Sequence, residues 1–356
     1  MMSSQFRPEQ IADEIIRFNS KLAVGLKNLM DLEEIPTGVT EKEAVYAEDK
    51  LILYHFKPHV KAKKVNKTPV LIVYALVNRP YMTDLNEKIS FVRGLIESGQ
   101  EVYLIDWGYP DRADKFTTMD DYINGYIDRC VNTLRRRHKV DNVNILGICQ
   151  GGAFSLCYAS LHPEKVKNLI TMVTPVDYHT KENMLSKWIQ KVDVDLLVDT
   201  LGNIPGDYLN WTFLTLKPYR LMAQKYVDMV NILDNPQYLN NFMRMEKWIY
   251  DSPDQAGEAY RQFIKDFYQQ NLLIKGKVEI GGKTVDLKNV KMPVLNIFAE
   301  DDHLVPPSAS KPLGKYVGTK DYTELSFKGG HIGIYVSSAA RSLVPPSDGD
   351  WLNNRA

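Results

Sequence analysis

Residues 143–152 read Val-Asn-Ile-Leu-Gly-Ile-Cys-Gln-Gly-Gly, an apolar strand running into Gly147-Ile148-Cys149-Gln150-Gly151. A cysteine flanked by glycines at that spacing is a nucleophile presented on a sharp strand-to-helix turn, with sulfur where many such turns carry a serine oxygen. The glycines let the backbone pass strand and helix without a Cβ clash. The N–H of Gln150 lies at the start of the helix, where unpaired donors and a partial positive charge favour a thiolate and a developing oxyanion. One segment thus supplies nucleophile, activation and half of an oxyanion hole. Such a cysteine needs a base, and the base needs an acid to hold it. Pro293–Ala299 reads as a buried strand, and Glu300-Asp301-Asp302-His303 follows at its carboxyl end. Asp302 is the expected acid, by its spacing from the strand and from the Leu304-Val-Pro-Pro307 loop. A last strand, Tyr322–Phe327, runs into Gly329-Gly330-His331, which places His331 on a flexible loop from which its ring can reach the elbow. Cys149, Asp302 and His331 form the expected catalytic triad for acyl transfer.

The other reactive side chains read differently. Cys130 falls in the helical stretch Met119–Arg137 and Cys157 lies two turns beyond Cys149, neither with flanking glycines or a basic neighbour. Both are expected to pack, as free cysteines usually do. Six of the seven histidines read as packing or surface residues, with His303 placed at the rim of the site by its adjacency to Asp302. Glu300 and Asp301 read as solvated rim charges.

These groups require a scaffold, and the strand pattern supplies one. Two half-buried strands, Ala44–Tyr46 and Leu51–Phe56, form an antiparallel edge, and a solvated lysine-rich loop follows at 61–64. Apolar strands at Val70–Tyr74, Val102–Asp106, Val143–Leu146 and Leu169–Val173 alternate with helix-length segments, the signature of a parallel sheet wrapped by helices. The order nucleophile, acid, histidine is that of an α/β-hydrolase. The alternation stops after Pro175. Residues 178–289 are helical and aromatic-rich (Trp188, Trp211, Phe213, Trp248, Phe263, Phe267, Tyr268), ending in a hairpin around Gly281-Gly282. An insertion after the sixth strand would sit over the catalytic face as a cap that lines or gates the pocket. The expected organisation is an N-terminal amphipathic helix at 1–35, a core at 36–177 and 290–356, and the cap at 178–289. In the first segment Ile11, Ile15, Phe18, Leu22, Leu26 and Leu29 make one apolar helix stripe. It is expected to dock on its own domain, with partner binding as the sharper alternative.

Composition excludes several classes. Lys and Arg total 44 and Asp and Glu total 44, so nothing points to nucleic acid. Three cysteines without metal-ligand spacing predict no bound metal and a reducing compartment. With no apolar leader and no run near the ~20 apolar residues of a membrane span, a cytoplasmic location is expected.

Six segments together carry a family resemblance: Gly147-Ile-Cys-Gln-Gly-Gly-Ala153, Tyr74-Ala-Leu-Val-Asn-Arg-Pro80, Leu104-Ile-Asp-Trp-Gly-Tyr-Pro110, Gly202-Asn-Ile-Pro205, Ala259–Tyr268 and Gly329-Gly-His-Ile-Gly333. With them the chain resembles the polyhydroxyalkanoate synthases, from about residue 36 to its end. Its short length resembles the class III catalytic subunit, which works with a second, non-catalytic subunit. The resemblance implies that Cys149 carries the growing polyester, that His331 is the base, and that Asp302 assists either His331 or the substrate hydroxyl. It implies a short-chain (R)-3-hydroxyacyl-CoA as substrate, typically 3-hydroxybutyryl-CoA, with CoA as product and no cofactor. It further implies a homodimer or hetero-oligomer at the surface of storage granules. Ala75-Leu-Val-Asn78 stands where lipase-like enzymes carry His-Gly-Gly-Gly, and the Val77 N–H is the expected second oxyanion donor beside Gln150.

Sulfur suits that chemistry. Transfer from CoA to Cys149 exchanges one thioester for another at little cost, and attack by a 3-hydroxyl then makes an oxoester downhill. Water competes at each cycle, which gives a cap its purpose. A cysteine hydrolase of the dienelactone-hydrolase or thioesterase type is the alternative, disfavoured by the inserted span. A non-enzymatic granule-coat protein is a third reading, opposed by the intact triad and elbow glycines.

Overall fold

A computed structural model describes residues 8–30, 35–58 and 65–356. The lysine-rich loop at 61–64, residues 1–7 and the side chain of Ile11 lie outside the description.

Eight strands form one sheet: β1 Lys42–Glu48, β2 Leu51–Phe56, β3 Val70–Val73, β4 Val102–Asp106, β5 Val143–Ile148 and β6 Val166–Met172, with β9 Val294–Ala299 and β10 Tyr322–Phe327. Their spatial order is β1-β2-β4-β3-β5-β6-β9-β10. β2 runs antiparallel to both its neighbours and the rest are parallel. Every residue of β3, β5 and β9 is buried, as it must be when helices cover both faces, which is why these strands read as unbroken apolar runs. The chain steps from β3 out to β4 and back past β3 to β5, so the loops leaving β3 and β5 diverge at the carboxyl edge. In sheets of this kind ligands bind at that switch point.

The span between β6 and β9 is helical from Met184 to Gln269. The hairpin that follows, β7 Val278–Ile280 and β8 Lys283–Val285, turns at Gly281 and Gly282 with φ of 56° and 72°, the pair of positive angles a two-residue turn demands. It braces the core: the Ser160 hydroxyl of the Gln150–Leu161 helix donates to the Asp286 carbonyl at 2.7 Å. The last part of the inserted span therefore supports the nucleophile's helix from the side. The predicted aromatics divide likewise. Phe263, Phe267 and Trp248 are buried, whereas Trp188 and Trp211 face outward at 40% and 58% exposure.

The N-terminal helix, Pro8–Met30, forms and docks on its own chain, though with less of its apolar stripe than expected. It leans on the inserted span through its second half, where Gly25 sits against Leu233, the Asn28 amide donates to the Leu233 carbonyl and Lys21 pairs with Asp234. Close approach at Gly25, which has no side chain to hold it off, sets the contact face. Three residues of the predicted stripe, Ile15, Phe18 and Leu26, consequently stay about half exposed. No helix of the described residues is long and apolar enough to cross a membrane.

Candidate active site

Cys149 occupies the turn between β5 and the Gln150–Leu161 helix with φ 55° and ψ −121°, a strained conformation for a residue with a side chain. Glycine at 151 makes the turn possible, since a Cβ there would collide with the Val73 and Tyr74 carbonyls. The helix start is thus pressed onto the end of β3, and the loops after β3 and β5 become neighbours.

The three predicted triad residues meet. The His331 Nδ1–H donates to Asp302 Oδ2 at 2.6 Å, and Asp302 Oδ1 accepts the N–H groups of Leu304 and Val305 at 2.8 and 2.9 Å. The loop following β9 therefore fixes the carboxylate with its own backbone, and the carboxylate fixes the ring. Cys149 is close enough for its charge to act on the same ring. Burial alone would lower the His331 pKa, but the charges of Asp302 and Cys149, with the Asp302 hydrogen bond, outweigh it and raise it to about 10. The imidazolium is the favoured form at neutral pH, so a proton is ready for a leaving group. Glu300 and Asp301 are exposed, as rim charges should be.

Gln150, the first residue of its helix, has a backbone N–H without an intrahelical acceptor. Its side chain does something the sequence did not announce: Oε1 accepts the Leu76 N–H at 3.1 Å, tying the loop after β3 to the elbow. The Trp107 indole N–H holds the same loop through the Tyr74 carbonyl at 2.9 Å. With the Leu76 donor occupied, Val77 is the next backbone N–H along that loop, and its side chain packs against the same apolar cluster as Cys149.

Four tyrosines also surround the site, of which only Tyr268 is singled out by the sequence, as one of the cap aromatics. The Tyr74 and Tyr335 hydroxyls lie 3.3 Å apart. Burial raises the pKa of both, as it does for Tyr178 and Tyr268, and the charge of Cys149 raises all four further. They stay protonated donors around the nucleophile. Their signal was faint: Tyr74 ends an apolar strand and reads as core, and Tyr335 follows His331 by one helical turn. Tyr178, Phe263, Phe267 and Tyr268 stack into one aromatic wall that continues to Phe154 on the nucleophile's helix.

Cys130 and Cys157 are buried, and burial raises both thiols, that of Cys157 to about 12. Neither supplies a thiolate. Burial, together with the nearby Lys217 charge, lowers His303 to about 4, which leaves it neutral beside Asp302.

A family model of the alpha/beta hydrolase fold matches residues 68–338. The chain is 62% identical over 356 residues to "Poly(3-hydroxyalkanoate) polymerase subunit PhaC" of Thiocystis violacea, covering 100% of both. It is 60% identical to the protein of the same name from Allochromatium vinosum, again over 100% of both chains. With that of Synechocystis sp. it shares 53% identity over 98% of this chain and 94% of the relative. Among solved structures, a putative lipase from Sulfolobus solfataricus aligns at TM-score 0.56 and 16% identity, covering 89% of this chain and 98% of that one. A monoglyceride lipase from Saccharomyces cerevisiae aligns at 0.55 and 14%, covering 91% and 98%. These two share the fold.

Proposed function

Because the chain belongs to the poly(3-hydroxyalkanoate) polymerases of the α/β-hydrolase fold, we propose that it builds its polyester by covalent thioester catalysis on Cys149. The enzyme is an acyltransferase. The observation that carries the mechanism is the 2.6 Å contact of Asp302 with His331, on a ring that also feels the charge of the elbow cysteine.

Cys149 Sγ attacks the thioester carbonyl of a short-chain (R)-3-hydroxyacyl-CoA. The oxyanion takes the N–H of Gln150 and that of Val77, and the His331 imidazolium protonates the departing CoA sulfur. The neutral His331 that results accepts a proton from the 3-hydroxyl of the next unit, which attacks the acyl-enzyme. Asp302 holds the ring in the right tautomer, its Oδ2 being committed to Nδ1. CoA enters with the substrate and leaves as product, and the reading assigns no cofactor. The chain acts as one subunit of a complex, with a second, non-catalytic subunit, at the surface of polyester granules in the cytoplasm.

Hydrolysis is the competing outcome for the same acyl-enzyme. The aromatic wall of Tyr178, Phe263, Phe267 and Tyr268 favours polymerisation, because it dries the surroundings of Cys149. Incubation with (R)-3-hydroxybutyryl-CoA, partner subunit supplied, should release CoA and convert most acyl units to insoluble polyester. Mainly free 3-hydroxy acid would replace the polymerase mechanism with a hydrolase one.

A further inference from the structure

We infer that Asn78 is a positioning residue that locks the oxyanion loop to the cap, so that the Val77 donor is aimed by the contacts Asn78 itself makes with Trp248, Ile249 and Ser252. The inference rests on the reading of the Val77 N–H as an oxyanion donor.

Asn78 has φ 59°, in the left-handed region that asparagine tolerates better than most residues. Its side-chain amide reaches about 170 residues along the chain. Nδ2 donates to the Trp248 carbonyl at 3.2 Å, the Ile249 carbonyl at 3.3 Å and Ser252 Oγ at 2.6 Å. The cap answers in kind, since the Trp248 indole N–H donates to the Arg79 carbonyl at 2.7 Å. Ser252 Oγ is itself aimed, donating to Asn210 Oδ1 at 2.9 Å, while Asn210 Nδ2 donates to the Ile249 carbonyl at 2.5 Å. One residue upstream of Asn78 is Val77, and one further is Leu76, whose N–H is held by Gln150 at the elbow. The oxyanion loop is therefore pinned at both ends, to the nucleophile by Gln150 and to the cap by Asn78.

A fastening role alone accounts for less. The cap has another fastener nearby: the Tyr81 and Tyr109 hydroxyls donate to the two oxygens of Asp251 at 2.9 and 2.6 Å with no backbone in the left-handed region. What distinguishes Asn78 is that the unusual backbone angle and the cap contact fall on the residue that follows the donor. Strain of this kind persists where surrounding structure over-determines it, and here the determinant is the cap.

The test uses the full chain. Asn78→Gly keeps the backbone angle and deletes the clamp, and Asn78→Asp keeps the shape but turns an acceptor toward two carbonyls. Ser252→Ala removes the short contact from the cap side should either be poorly folded. Tyr81→Phe breaks the neighbouring fastener as a control. Three quantities are measured: the rate constant of the CoA burst with saturating (R)-3-hydroxybutyryl-CoA, acylation by a p-nitrophenyl ester, and alkylation of Cys149 by iodoacetamide, which needs no oxyanion hole. The inference predicts that both Asn78 variants lose about 10²-fold in both acylation rates, Ser252→Ala loses less, and Tyr81→Phe and all alkylation rates stay within threefold of the parent. It is overturned if the Asn78 variants acylate within threefold of the parent, if alkylation falls in step with acylation, or if Tyr81→Phe loses as much. A parent enzyme that reacts with the ester but not with the CoA substrate would sink the proposed function, and the ester series would still decide the role of Asn78.

Discussion

Asp302 and His331 divide the labour around Cys149 by what each can reach. Asp302 accepts two backbone N–H groups at Oδ1 and the ring at Oδ2, contacts that favour orientation as its role in the proposed mechanism. His331→Gln should therefore abolish most of the CoA burst, and Asp302→Asn should slow the burst and chain elongation together, by about 10²-fold or more. A variant Asp302→Asn that acylates at the parental rate and fails only in elongation would move its role to the substrate hydroxyl. The pair also sets a pH dependence. The His331 pKa is raised from 6.5 to about 10, so the stability it contributes is full below 6.5 and is lost as pH rises through 10. Melting temperatures of the parent and His331→Gln should converge across that window.

At the scale of elements, sequence pattern and structure agree where one physical cause acts and part where two compete. The strands of the parallel sheet were legible because burial on both faces forces continuous apolar runs, and the elbow was legible because only glycine fits at 151. The N-terminal helix docks on its own chain as its apolar pattern predicts, but the stripe reports what could be buried, while the contact face includes Gly25, where the missing side chain lets Leu233 approach. The C-terminal helix, Ser338–Asn353, holds a different surprise in Asp348, which is fully buried with neither carboxylate oxygen partnered among the described residues. Burial holds its pKa far above the usual 3.8. The neutral acid is favoured, so its cost grows as pH rises above 3.8. Asp348→Val should accordingly stabilise the fold by about 1–3 kcal/mol near neutral pH, with a smaller gain at pH 5, as measured by denaturant unfolding. An unchanged or lowered midpoint at both values would mean that the carboxyl is satisfied.

Across the whole molecule, the proposed catalysis depends on contacts that join segments far apart in the chain, and these are the least legible part of the site. The triad could be read because each member ends a strand and strand ends converge in this fold. The Gln150 side chain, the four tyrosines and the Asn78 clamp could not, since each acts across a gap that only the fold closes: Tyr74 to Tyr335, Leu76 to Gln150, Asn78 to Ser252. The 44% apolar content reported a large core without saying which aromatics would face Cys149 and which would face outward.

The central claim is that the polyester grows on Cys149 and on no other thiol. Enzyme quenched during turnover of (R)-3-hydroxybutyryl-CoA, digested and mapped by mass spectrometry, tests it most directly. The hydroxyacyl adduct should appear on the peptide carrying Cys149, remain there in Cys130→Ala and Cys157→Ala enzymes that keep most of their activity, and vanish in Cys149→Ala together with CoA release. Turnover by folded Cys149→Ala, or an adduct on a different residue, would contradict the account.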